Sequence, residues 1–189
     1  MGIGDSVSAK LGQLTSKVWS RSLKEKIGPR ANVHVVLRGP DGNIKYEEFG
    51  ENLVTDHGDE WLATRAYDDT AEIVTGMRLG TGVTAAAKNG AGSFIVTYLT
   101  TSNEALDATA TDATKGAGAG WRTTYVCTWI AGDITDTAIA EVALTDENPL
   151  TNVQGTAANT VAKYVFGATI DKQAGDSLEV TWQIDILGA

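Results

Sequence analysis

The chain has 189 residues, 42% of them hydrophobic and 21% charged, and carries a formal net charge of −9. That is enough for one well-buried domain with an appendage and short for two. A single cysteine, Cys127, excludes an internal disulfide, and an acidic body repels a polyanion, so the main domain is not expected to bind nucleic acid.

The charge is unevenly spread. Residues 1–30 hold six basic side chains against two acidic ones, a balance of +4, which leaves −13 on the rest. The division implied is a basic N-terminal arm over 1–30 and a single domain over 31–189. Val7, Leu11, Leu14 and Val18 fall on one helical stripe. Asp5 or Ser6 can cap it and Gly28-Pro29 stops it, whereas Gly12 weakens it, so the arm reads as helical or extended. Such a stripe has to dock on the body, on a sister subunit or on a partner. The residues expected to bind a partner are Val7, Leu11, Leu14, Val18 and Trp19 for apolar contact, with Lys17, Arg21 and Lys24 for an acidic surface. No run approaches the roughly 20 apolar residues of a membrane span. The N-terminus also lacks the basic-then-apolar pattern of a secretory signal, so a product assembled in the cytosol is expected, with no membrane partner.

After Pro29 the period changes to two. Val33, Val35 and Leu37 alternate with His34, Val36 and Arg38, and Gly39-Pro40-Asp41-Gly42 supplies turn residues before Ile44 and Tyr46. Thr55 or Asp56 can cap a short helix through Trp61, Leu62 and Arg65. Ile73–Leu79 reads as a strand ending at Gly80-Thr81-Gly82, and Phe94–Leu99 also has strand character, inside a long, partly irregular excursion over 83–119. Four clearer strands follow. They carry Trp121, Tyr125, Cys127 and Trp129; Ala138, Ala140, Val142 and Leu144; Tyr164, Phe166, Ala168 and Ile170; and finally Leu178, Val180, Trp182, Ile184 and Ile186. The last alternates with Glu179, Thr181, Gln183 and Asp185, one oily face and one wet. The fold class expected is mainly β: an antiparallel β-sandwich with one short helix and the N-terminal helical or extended arm.

Residues for chemistry are few. His57 sits beside Asp56 and Asp59, but soft or imidazole ligands at metal-binding spacing are missing, and a solvated residue at a helix start is the expectation. His34 reads as a surface or edge residue and Cys127 as a buried, inert thiol. Gly116-Ala117-Gly118-Ala119-Gly120 lacks the Lys-Ser/Thr ending of a phosphate loop and precedes a strand, where a phosphate loop opens a helix. Scattered acids such as Asp68-Asp69, Glu47-Glu48, Asp107, Asp112, Asp133, Asp136 and Asp146-Glu147 are the kind that keep a β protein soluble. Without a nucleophile beside a base, no enzyme activity, catalytic residue, metal or other cofactor is expected.

Several fragments carry a resemblance. Asn52-Leu53-Val54-Thr55-Asp56 with Gly58 and Trp61-Leu62-Ala63, then Met77-Arg78-Leu79-Gly80-Thr81-Gly82, resemble small structural proteins of tailed bacteriophages. So do Ile139–Leu144, Ala162–Phe166 and Asp176–Ile184, in that order. The resemblance is to head decoration (cement) and accessory virion proteins. It implies a jelly-roll-like β-sandwich, a homotrimer on the capsid surface that binds the major capsid protein through repeated lateral contacts and stabilises the shell. The first thirty residues do not match that pattern, so a tail, collar or fibre-associated protein is the alternative. A carbohydrate-binding module is a third reading and requires Trp121 and Tyr125 to face solvent.

Overall fold

In the computed structural model the described residues are 30–68, 72–108, 111–114, 120–148 and 150–186. Val7, Leu11, Leu14, Lys17, Val18, Trp19, Arg21 and Lys24 of the basic arm lie outside them. The strands are β1 (Arg30–Arg38), β2 (Ile44–Val54), β3 (Gly76–Gly80), β4 (Glu104–Ala105), β5 (Thr111–Thr114), β6 (Trp121–Trp129), β7 (Asp136–Thr145), β8 (Thr160–Lys172) and β9 (Ser177–Ile186). A helix, α1 (Asp56–Arg65), follows β2, and single 3₁₀ turns span Gly90–Ser93 and Ala157–Asn159.

All strand pairs are antiparallel, in the order β4-β3-β7-β8-β2-β1-β9-β6-β5. The two layers expected of a sandwich are therefore parts of one sheet that folds over on itself. The bend is β2, which pairs with β1 along most of its length and with β8 only at Leu53 and Val54. At the opposite seam the Asp107 N–H donates to the Val126 carbonyl at 2.9 Å, and the Cys127 thiol to the Glu104 carbonyl at 3.4 Å. These bonds lay the β4 edge on β6 and nearly close a barrel.

Inside, Trp129 and Trp182 pack with Met77, Leu79, Ile139, Leu144, Ile170 and Leu178. Each such side chain contributes about 1.5–3 kcal/mol on burial. The β1–β2 turn forms where Gly39-Pro40-Asp41-Gly42 places it. Gly42 adopts φ +79°, a left-handed conformation that glycine takes without steric cost. The run Asn52–Gly58 is the end of β2, a cap and the start of α1. Thr55 accepts the Gly58 N–H at 3.0 Å and donates its own hydroxyl to the Thr160 carbonyl at 2.5 Å. A Cβ on Gly58 would run into the Val161 carbonyl, so glycine lets α1 lie directly on β8.

Several elements differ from the sequence expectation, each for a physical reason. The strand expected from Ile73 starts only at Gly76, and Ile73 itself is exposed. Phe94–Leu99 is not a strand: the Val96 and Thr97 N–H groups go to the Glu141 carboxylate, leaving one isolated bridge between Gly80 and Tyr98. In β7 the register shifts between Asp136 and Glu141, which turns Ile139 into the core and leaves Ala138 exposed. In β8, Phe166 and Ile170 are buried while Ala168 is exposed.

Candidate interaction site

The excursion after β3 covers the outer face of the β3-β7-β8 layer, and charges hold it there. Glu141 and Lys163 project from β7 and β8, are fully buried, and pair at 2.8 Å. The second Glu141 oxygen accepts the N–H groups of Gly82, Val96 and Thr97 at 2.9–3.1 Å. Lys163 also donates to the Thr84 carbonyl at 3.3 Å. Glycine is required at 80 and 82 because a Cβ on either would collide with this carboxylate. The Gly80-Thr81-Gly82 run thus cradles an internal anion. Beside it the Arg78 guanidinium, buried and shifted down by desolvation, donates to Asn103 at 2.9 Å and pairs with Glu147.

The sequence residues with chemical potential are mostly engaged in structure. His57 is not merely solvated: it bonds Asp146 at 2.8 Å, and that bond, more than any other influence, raises its pKa. His34 lies mid-sheet rather than at an edge, stacked on Phe49 with ring centroids 3.9 Å apart and bonded to Glu47 at 2.9 Å. Cys127 is buried, and burial, with Asp107 and Glu104 nearby, pushes its thiol far up, so it stays protonated at neutral pH. Asp107 binds Thr128, Asp133 the Ile130 N–H, Asp136 the Ala138 N–H, and Glu48 the hydroxyls of Tyr46 and Tyr164. Among the described residues no group of three or more His, Cys, Asp or Glu side chains is placed to hold a metal ion.

At one end of the barrel the apolar inner face continues past the core into solvent. Trp121 and Ile186 are register partners on β6 and β9, each 55% exposed. Ile186 lines a cleft of about 800 Å³ together with Trp61 and Leu62 of α1, Ile73 after it, and Tyr125 and Leu106 toward the core. The Trp61 indole is fixed by donating to the Glu72 carbonyl at 2.6 Å, with the Arg65 guanidinium 6.0 Å over its ring. Tyr125 is buried and its pKa is pushed up to about 12 by desolvation, partly offset by Arg65. Trp121 thus faces solvent and Tyr125 does not. Ile73, a lining residue, is 58% exposed, and Tyr67, just after α1, is 82% exposed.

The mouth was missed because Trp61, Ile73, Trp121 and Ile186 come from four separate runs, and the last two sit in alternations that read as ordinary core. β1 also begins here: Arg30 pairs with Asp185, the neighbour of Ile186. Comparisons with family models, with curated proteins and with solved structures return no match to this chain. No helix among the described residues is long and apolar enough to cross a membrane.

Proposed function

We propose that this chain is a structural protein that works by binding protein neighbours at the apolar mouth of the barrel. The observation that carries this reading is the pair Ile186, which lines the cleft, and its register partner Trp121, large apolar side chains each more than half exposed. Contiguous exposed apolar surface of this kind is uncommon on soluble monomers and marks contact with another surface. Aromatic anchors beside a pocket supply most of the energy of such contacts.

The sequence resemblance supports a more specific form of the proposal, a decoration (cement) protein on a tailed-phage capsid. It would be a homotrimer that contacts the major capsid protein and assembles in the host cytoplasm. Its action is then mass action: a subunit that binds the completed shell but not its dissociated parts stabilises the shell by RT ln(1 + [L]/Kd) per site. Many copies convert weak contacts into avidity about 10²–10⁴ above a single one. Electron microscopy of the virion is the test. Density for this barrel at regular capsid positions supports the proposal, a ring at the tail or collar transfers it to that alternative, and absence from purified particles overturns it.

A further inference from the structure

We propose that the outer face of the β2-β1-β9 layer carries a carbohydrate site, with Phe49 as the platform for a neutral sugar ring. The site lies on the side of the sheet away from the core and is separate from the apolar mouth. Its floor is two cross-strand rows, Phe49-His34-Thr181 and Glu51-Asn32-Gln183, which line an open cavity of about 430 Å³. That volume falls in the range of about 300–1,000 Å³ usual for small-molecule sites. Phe49 is 72% exposed, yet its ring is fixed. His34 stacks on one face, 3.9 Å between centroids and 5° from parallel, and Glu47 bonds the imidazole at 2.9 Å. An exposed aromatic held in place before a ligand arrives loses little freedom on binding.

The ligand class follows from what surrounds that ring. The π face of an aromatic is electron-rich, so it attracts the C–H groups that a pyranose presents on one side. Beside it stand the Asn32 and Gln183 amides and the Thr181 hydroxyl, able to donate and accept, and the Glu51 carboxylate, which only accepts. Among the described residues none of these four side chains has a hydrogen-bond partner. Sugar hydroxyls both donate and accept, and they answer such a mixed set. No lysine or arginine lines the cavity, and Arg122, one row along, is held by Asp185 through bonds of 2.8 and 3.1 Å. A phosphate, a nucleic acid or a uronate would therefore meet Glu51 without a counter-charge. A lipid would leave the amides unpaired.

The test is NMR titration of the full chain with maltohexaose, cellohexaose and chitohexaose, and with hexagalacturonate as the anionic comparison. At least one neutral oligosaccharide is expected to shift the Phe49, Thr181 and Gln183 amides, with a dissociation constant of about a millimolar or below. Phe49→Ala, at an exposed position, should weaken that binding about tenfold with unchanged thermal unfolding, whereas Phe49→Tyr retains it. Gln183→Ala, on another strand, should weaken it as well. No shift from any neutral oligosaccharide up to about 10 mM overturns the proposal, as does unaltered affinity in Phe49→Ala. Equal or tighter binding of hexagalacturonate overturns it too, as do shifts centred on Trp121 and Ile186.

Discussion

The outer face of the β3-β7-β8 layer and the mouth of the barrel solve opposite problems. On the first, a loop is drawn over a sheet and backbone groups of Gly82, Thr84, Val96 and Thr97 are paired with buried charges. The Glu141 carboxylate takes three backbone N–H groups and the Lys163 ammonium, with both charged side chains fully buried. At the second, apolar side chains from β6, β9 and the end of α1 stand in solvent. A buried charge is costly unless it is paired, so the Glu141 carboxylate and the Lys163 ammonium hold the loop segments that bond to them in place. Apolar surface is non-directional and accepts whatever partner removes it from water. The sealed face is therefore built for rigidity and the mouth for contact.

The comparison breaks most sharply at Glu141. Glu141→Gln leaves the Lys163 ammonium buried without its counter-charge and should cost about 3–5 kcal/mol in urea unfolding. A midpoint close to that of the parent protein would mean that the network does not hold the loop. Helix α1 joins the two regions and gives the next effects. Gly58→Ala gains about 1 kcal/mol of helix propensity, but its methyl meets the Val161 carbonyl. The net expectation is a loss of about 1–3 kcal/mol. Thermal unfolding checks the sign, and a stabilised variant would mean that α1 does not rest on β8 as described.

Thr55→Ala removes the cap while leaving the helix seat intact, and should cost about 0.5–2 kcal/mol. The smallest effect is the pH dependence of His57. Its pKa is raised in the folded state chiefly by the Asp146 bond, so its contribution is complete below the ordinary value of 6.5 and is lost as pH rises through the raised value. His57→Gln should flatten that part of the stability–pH curve, and an unchanged slope would assign it to another group.

Much of the fold was legible along the chain. The alternation Leu178, Val180, Trp182, Ile184 identifies β9, Gly39–Gly42 the first hairpin, and Thr55 with Asp56 and Asp59 the start of α1. Phe94–Leu99 misled because apolar, β-branched residues favour a strand only when another strand takes their N–H groups, and here Glu141 takes them. Glu141, Lys163 and Arg78 carry no signal of burial in the sequence. Nothing local shows that a loop will cover them. The partner-binding residues read on the arm lie outside the described residues. The mouth was illegible because its residues converge from separate elements.

The sequence by itself determined the local elements: pattern period, turn residues and caps act over a few positions and are written there. It also determined the contrast between a +4 arm and a −13 body, a matter of counting. Only the tertiary structure decided which alternating faces end in the core and which end in solvent. Trp129 and Trp121 occupy the same face of one strand; Trp129 is enclosed because β9 and the neighbouring layer close over it, and Trp121 is exposed because the barrel ends first. Burial belongs to what packs opposite, and that is set by chain closure over long sequence separations.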